Sequence, residues 1–259
     1  MNQLQKPLTK EDYVGKKVLV LTGAGISVSA GIPCYWGENG AYKALEQKYG
    51  APIEDVLSGT NLKRNPSQVW SYMKELFDNF DDVAPTLAHN KLVKLEEQSD
   101  EFHLVTQNCD GLHTTAGSKA VHEVHGTAHN AVCTVCGEIE DNYLPQLANV
   151  SIPRCTGCGG HLRPNVVLFE EMPKMDYPKL VDFARKADLL IVVGTQAYFS
   201  YITDLLNNFA ATGGKSIWVD VEKPENLVLN WQISFSYTEG LEYYTEGADS
   251  FFQNMMPEL

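Results

Sequence analysis

Four cysteines constrain this chain more than any other feature. Cys133-x-x-Cys136 is followed, after 18 residues, by Cys155-x-x-Cys158. Each pair sits on a short turn, Val135-Cys-Gly137 and Gly157-Cys-Gly-Gly160, in which backbone amides can face thiolate sulfur. Four thiolates complete a closed tetrahedral zinc site with no position left for substrate, so the metal that this spacing implies is structural. A redox dithiol or an iron–sulfur cluster would use the same residue type. A catalytic zinc suits the pattern poorly, because it keeps a water ligand. The first residues, MNQLQKPLTKED, lack an apolar signal-peptide core, so a cytoplasmic protein is expected and metal is favoured over disulfides. Cys34 and Cys109 stand apart from the two pairs.

The chain has 259 residues, 44% of them hydrophobic, which is enough for one large domain or a domain with inserts. Four aliphatic runs read as strands: Lys17–Thr22, Phe102–Thr106, Leu189–Val193 and Ser216–Val221. Continuously apolar strands are buried on both faces, as in a doubly wound α/β fold with a parallel sheet. Helical patterns cover Pro66–Phe80, Thr86–Glu97, Tyr177–Lys186, Tyr201–Ala211 and Ala248–Met256. Two stretches break the rhythm. Residues 35–80 are polar, helical and strand-poor, and residues 127–164 carry the cysteines. Both read as inserts that form a smaller zinc-binding and helical module, leaving 1–34, 81–126 and 165–259 for the main domain. No apolar stretch approaches the ~20 residues of a membrane helix. Lys and Arg number 20 against 33 Asp and Glu, a net charge of −13. That balance argues against a nucleic-acid-coating surface, which needs a cationic excess, and it makes a zinc-knuckle nucleic-acid binder remote.

After the first strand comes Thr22-Gly-Ala-Gly-Ile-Ser27. A strand running into G-x-G permits a tight turn, close approach of phosphates to the backbone, and donation from orphan amides at a helix N-terminus. The sixth position of G-x-G-x-x-G is held by Val28, so a plain tight turn also explains the segment. Asp220 and Glu222 end a later strand, where a carboxylate accepts from ribose hydroxyls or simply faces solvent. The second strand runs into Gln107-Asn-Cys-Asp-Gly-Leu-His113, amide and carboxylate groups at the strand end where doubly wound folds hold ligands. Asx turns around Gly111 account equally for Asn108 and Asp110 taken alone. In Val121-His-Glu-Val-His-Gly126, His122 and His125 differ in parity, so on one strand they face opposite sides and do not share a role. His89, His103, His113, His129 and His161 carry no separate signal and read as surface or capping residues.

Taken together and in order, these segments resemble a sirtuin, an NAD-dependent protein deacylase, from about Val18 to Phe252. GAGISVSAGIP is similar to the family's GAGIS-x-x-SGIP loop, TQNCDGLH to its TQN-I-DGLH segment, and EVHGT to its HG. CGGHLRPNVVLFEE is similar to CGG-x-LRP-x-VV-x-FGE, and VVGT and WVDVE to the later nucleotide motifs. The resemblance implies a Rossmann-like domain beside a small zinc-bearing domain, with NAD and acyl-lysine entering the cleft between them. It places Gly23, Ala24, Gly25, Ser27, Ile32, Pro33, Tyr35 and Trp36 at the cofactor, Ala24 and Gly25 at the pyrophosphate. It adds Gln107, Asn108 at the nicotinamide ribose, Cys109 through its backbone, and Asp110 at the carboxamide. Gly194, Thr195 and Gln196 would hold phosphate or ribose, with Asp220 and Glu222 by the adenosine. Val166, Val167 and Phe169 would hold the acyl-peptide, and Cys133, Cys136, Cys155 and Cys158 the Zn2+. Asn108, Asp110 and His125 become the catalytic set, His125 as general base.

The implied chemistry is coherent. NAD carries a cationic nicotinamide leaving group, so its ribose C1′ is electrophilic and the acyl oxygen attacks there. A neutral imidazole then deprotonates a ribose hydroxyl, and the products are nicotinamide, O-acyl-ADP-ribose and free lysine. The departures concentrate in one loop: the family's SGIPDFRG reads Ala30-Gly-Ile-Pro-Cys-Tyr-Trp-Gly37. Cys34 stands for the Asp and Tyr35 for the Phe. Trp36 stands for the Arg and removes charge-assisted hydrogen bonds worth roughly 1.5–3 kcal/mol each. Gln196 replaces a Ser, and Glu170 replaces the Gly before the family's Glu. Three readings follow: an Nε-acyl-lysine deacylase, an ADP-ribosyltransferase or NAD hydrolase, and a non-catalytic NAD- or acyl-lysine-binding module. The oligomeric state is not legible.

Overall fold

The computed structural model describes residues 7–37, 40–77, 80, 83–141, 143–222 and 241–259. Six parallel strands form the main sheet: β1 (Lys17–Thr22), β2 (Glu101–Thr106), β3 (Val121–Glu123), β7 (Leu189–Val193), β8 (Lys215–Asp220) and β9 (Leu241–Thr245). Across the sheet they run β3-β2-β1-β7-β8-β9. Counting only the strands of this sheet, that is the 3-2-1-4-5-6 order of dinucleotide-binding folds. The direction of winding reverses between β1 and β7, so the strand ends Thr22 and Val193 stand at the topological switch point where such folds hold ligands.

The apolar runs are continuous because both faces are covered. Val18 and Val20 of β1 point into one core layer with α6 (Leu87–Gln98) and α10 (Ala248–Met255). Leu19 and Leu21 point into the opposite layer with α8 (Tyr177–Ala184) and α9 (Ser200–Ala210). The period-2 alternation of a strand therefore divides one apolar run between two cores. Local signals start the helices: Thr86 accepts from the His89 amide at the start of α6, and Asp176 accepts from the Lys179 amide at the start of α8.

A third core belongs to the two inserts. Helices α2 (Ala41–Tyr49), α3 (Ile53–Val56), α4 (Gly59–Arg64) and α5 (Pro66–Phe77) pack Leu45, Ile53, Trp70, Tyr72 and Met73 against the cysteine-rich segment. That segment forms an antiparallel sheet of β5 (Ile139–Glu140), β4 (Gly126–Cys133) and β6 (Leu162–Val166). Trp70 donates its indole N–H to the Leu162 carbonyl at 3.0 Å, joining the two inserts directly. Strand β6 runs past residue 164, the expected limit of the second insert, because its pairing with β4 reaches Val166.

Several local expectations change. The segment after the glycine turn is a seven-residue 3-10 helix, Ala24–Ala30, ended by Gly31 at φ 95°. Residues 121–126 are not one strand: β3 ends at Glu123, a turn carries His125, and β4 begins at Gly126. Helix α5 stops at Phe77, and the adjoining Asp78 and Asn79 lie outside the described residues. His103 and His113 are buried rather than on the surface, while His89 is buried and takes the capping role, its Nδ1 accepting from the Thr86 amide.

Candidate active site

The loops after β1 and β7 meet backbone to backbone. The Gly25 amide donates to the Gly194 carbonyl and the Gly23 amide to Val193, both at 3.0 Å. A Cβ on Gly25 would lie 2.5 Å from the Gly194 Cα, and one on Gly194 would lie 2.5 Å from the Gly25 Cα and the Ile26 nitrogen. Gly194 also holds φ 62°, so glycine is required there by both space and conformation. Of the two residues expected at the pyrophosphate, Gly25 already has its amide engaged within the fold.

Beneath this crossing lies a buried polar cluster. Ser27 donates its hydroxyl to Asp110 Oδ2 at 2.7 Å. Asn108 donates its side-chain N–H groups to the Gly23 carbonyl at 3.1 Å and to Ser27 Oγ at 3.2 Å. Asp110 Oδ1 accepts from the Leu112 amide at 3.0 Å. Ser27, Asn108 and Asp110 are all buried. Such groups persist inside a protein only when hydrogen-bonded, and here each orients the next. Gln107 donates to Thr195 Oγ1 at 2.7 Å, which ties the second strand's polar segment to the β7 loop. Gln196 donates to Asp220 Oδ2 at 3.3 Å, and burial raises the Asp220 carboxyl above the usual range. Glu222 is exposed, and its amide donates to Asp220 Oδ1 at 3.3 Å.

His125 stands in the turn between β3 and β4. Its Nδ1 lies 2.8 Å from the Gln107 carbonyl oxygen. A carbonyl only accepts, so Nδ1 carries the proton and Nε2 presents a lone pair. That nitrogen meets the Tyr201 hydroxyl. Burial lowers the His125 pKa, and the Gln107 contact opposes the shift without cancelling it. The outcome is an imidazole held neutral in one tautomer, the state a general base needs. His122, by contrast, turns away and shares a 2.7 Å contact with His103, so the two histidines do have separate surroundings.

The remaining expected residues divide between cleft and core. Val166 and Ile32 are buried in the insert core. Val167 and Phe169 are half-buried, and the Val167 amide donates to the His125 carbonyl at 2.7 Å. Cys109 is buried, its carbonyl accepts from Ala128 at 2.9 Å, and burial pushes its thiol strongly up. Ala24 is half-buried, while Pro33 and Cys34 are exposed. Tyr35 stacks on Tyr42 with centroids 5.1 Å apart, and burial raises its hydroxyl well above the usual range, with Cys109 and Asp110 adding to the effect. Trp36 is 47% exposed and sets its edge against Tyr42 and Phe169. Glu170, where a Gly was expected, has φ 71° and accepts from the Thr60 amide at 3.0 Å, capping α4. Tyr201 and Phe199 escaped the sequence reading: they stand at the start of α9, where only a helical pattern was visible.

The four cysteine sulfurs all lie within 4.8 Å of one another. A tetrahedron with ~2.3 Å zinc–sulfur bonds has edges of about 3.8 Å, and Cys133–Cys158 and Cys136–Cys155 are 3.4 and 3.7 Å apart. Amides of Cys136 and Val135 point at Cys133 Sγ and pull that thiol down to about 6. The donor set fits a divalent zinc-type ion.

A parallel sheet of dinucleotide-binding order, a buried amide–carboxylate cluster at its switch point and a flanking four-thiolate module define a nucleotide-binding α/β protein with a metal-type insert. A model of the Sir2 family matches residues 23–199, and the chain belongs to that family. It is 39% identical over 203 residues to NAD-dependent protein deacylase 2 of Pseudomonas aeruginosa, covering 77% of this chain and 79% of that one. It is 35% identical over 221 residues to the NAD-dependent protein deacetylase of Clostridium acetobutylicum, covering 85% and 87%. Its fold is similar to that of a Sir2 protein with a deacetylated p53 peptide and 3′-O-acetyl ADP ribose, at TM-score 0.79, 30% identity, and 93% and 92% coverage. A Sir2 protein bound to a propionylated peptide gives TM-score 0.74 at 27% identity, again covering 93% and 92%.

Proposed function

We propose that this chain is an NAD-dependent protein deacylase that removes acyl groups from Nε-acyl-lysine, yielding nicotinamide, O-acyl-ADP-ribose and free lysine. The observation that carries the reading is His125, a half-buried imidazole whose Nδ1 donates to the Gln107 carbonyl and leaves the Nε2 lone pair for a base, beside the Ser27–Asn108–Asp110 cluster. NAD, when bound, supplies an electrophilic ribose C1′ with nicotinamide as its leaving group. The glycine crossing at Gly23, Gly25 and Gly194 packs the β1 and β7 loops together, and Ala24, Thr195 and Gln196 stand beside it to hold phosphate and ribose. Asn108 and Asp110 orient the ribose and carboxamide. Asp220 and Glu222 hold the adenosine end. Tyr35 shields the reacting carbon, Trp36 covers the loop, and Val167 and Phe169 hold the acyl-peptide beside the base. His125 Nε2 takes the ribose proton.

Cys133, Cys136, Cys155 and Cys158 hold a structural Zn2+, supported by the sulfur geometry. The inserts, residues 35–80 and 127–164, form the small domain, supported by their shared core. Acyl-lysine peptides are the partners, and the net charge of −13 favours approach of basic, lysine-containing segments. No helix among the described residues is long and apolar enough to cross a membrane. A cytoplasmic location is our reading, supported by cysteines spaced for metal.

Mass spectrometry of the pure protein with NAD and a panel of acyl-lysine peptides tests the function. Deacylated peptide with O-acyl-ADP-ribose is expected. ADP-ribose alone, or a gain of ADP-ribose mass on protein, would move the assignment to NAD hydrolysis or ADP-ribosyl transfer.

A further inference from the structure

The nitrogen assigned to proton abstraction is already occupied. His125 Nε2 faces the Tyr201 hydroxyl, and with Nδ1 protonated against Gln107 the hydroxyl is the donor of that contact. The ribose hydroxyl that gives up its proton needs the same lone pair. Both cannot hold it.

The surroundings of Tyr201 make the contact deliberate in geometry. Tyr201 is the second residue of α9, and its ring stacks on Phe199 at 5.5 Å with an interplanar angle of 18°. Phe199 in turn makes a T-shaped contact with the His125 ring, with centroids 5.2 Å apart at 77°. Both rings hang from the loop that begins at Gly194. Within that loop buried Ala197 holds a left-handed φ of 51°, a conformation costly for a residue with a Cβ. Thr195 and Gln196, the candidate ribose- and phosphate-binding residues, lie between Gly194 and Ala197, tied to Gln107 and Asp220. A ligand that engages Thr195 or Gln196 must compete with those ties, and the segment it disturbs carries Tyr201.

We propose that Tyr201 is a positioning residue that caps His125 Nε2 in the free enzyme, and that the ribose hydroxyl displaces it when NAD and acyl-peptide bind. The proposal rests on the reading of His125 as the base. The Gln107 carbonyl holds the tautomer, and Tyr201 excludes water from the lone pair until substrate arrives. Occupancy of the β7 loop and release of the base are thereby one event.

The experiment is Tyr201→Phe, which keeps both ring contacts and removes only the hydroxyl. In the free protein, nitrogen NMR of His125 is expected to show Nε2 losing its hydrogen-bond shift in the variant while Nδ1 stays protonated. The wild type is expected to lose the Tyr201 contact on adding NAD with acyl-peptide. With the competitor gone, KM for NAD should fall about three- to tenfold, the range one net hydrogen bond supports, while kcat changes by less than about twofold. An unchanged Nε2 signal in the variant overturns the proposal, as does a Tyr201 contact that persists in the ternary complex. A large fall in kcat also overturns it, because Tyr201 would then be relaying the proton. If neither protein deacylates any peptide, the deacylase reading fails, and the two NMR comparisons still decide whether Tyr201 caps the base.

Discussion

At the scale of single residues, burial and one carbonyl determine what His125 can do. His125→Ala is expected to reduce deacylation by at least 10²-fold with an unchanged circular dichroism spectrum, the range for loss of a general base. Full activity in that variant would end the assignment. Because burial lowers its pKa, His125 stays neutral at pH values where an ordinary imidazole, near 6.5, is half charged. The acidic limb of kcat/KM is therefore expected below pH 6.5, activity falling as pH drops through the lowered value. A limb above pH 7 would contradict the burial argument. Gly194→Ala would drive a Cβ to 2.5 Å from the Gly25 backbone at a positive φ. Calorimetric titration should show NAD affinity falling by an order of magnitude or more.

At the scale of elements, the turn at Glu170 shows how a local rule can be broken and offset. The position has φ 71°, which favours glycine, yet the carboxylate caps α4 through the Thr60 amide. Glu170→Ala loses the cap and keeps the strain, whereas Glu170→Gly loses both. The melting temperature of the Gly variant is thus expected above that of the Ala variant, and the reverse order would show that the positive φ costs nothing at this turn. The same interplay explains what the residues disclosed and what they withheld. Lys17–Thr22 and Leu189–Val193 were legible because each is an uninterrupted apolar run between polar ends, and β8 shifted by only one residue. The 3-10 helix was not legible, since its hydrogen-bond pattern depends on the approach of Gly194, a contact 169 residues away from Gly25.

At the scale of the whole molecule, three cores divide the labour, and the insert core depends on metal-type residues. Cys133 and Cys155 lie in the same core as Trp70 and Tyr72. Chelation of zinc is therefore expected to raise hydrogen exchange in α2 to α5 as well as in the cysteine segment, while β1 and β7 keep their protection. Exchange confined to residues 133–163 would show that the inserts are independent. Trp70→Ala should destabilise by about 3–5 kcal/mol, since a buried aromatic and its bond to Leu162 are both lost. Overall acid stability follows from the histidines. Burial lowers His89 and His122 to about 4 and also lowers His103 and His113. Below about pH 6.5 the unfolded chain binds more protons than the native one, so stability is full above that pH and declines as pH falls towards 4. A melting temperature that is flat from pH 7 to pH 5 would sink this prediction.

The sequence by itself determined the parallel sheet, the cysteine module and the family, because strand hydrophobicity, ligand spacing and motif order are properties of neighbouring residues. It also marked His125, Asn108 and Asp110 as a set. Only the tertiary structure decided which nitrogen of His125 carries the lone pair and which group meets it. Tyr201 lies 76 residues from His125 along the chain, and its hydroxyl reaches the base only because α9 packs beside the turn that ends β3. The fold also sent Val166 into the insert core, joined Val167 to the His125 backbone and set Phe169 against Trp36 and Tyr42. No local pattern specifies which side of a folded strand a cleft will open on; that depends on what the rest of the chain covers.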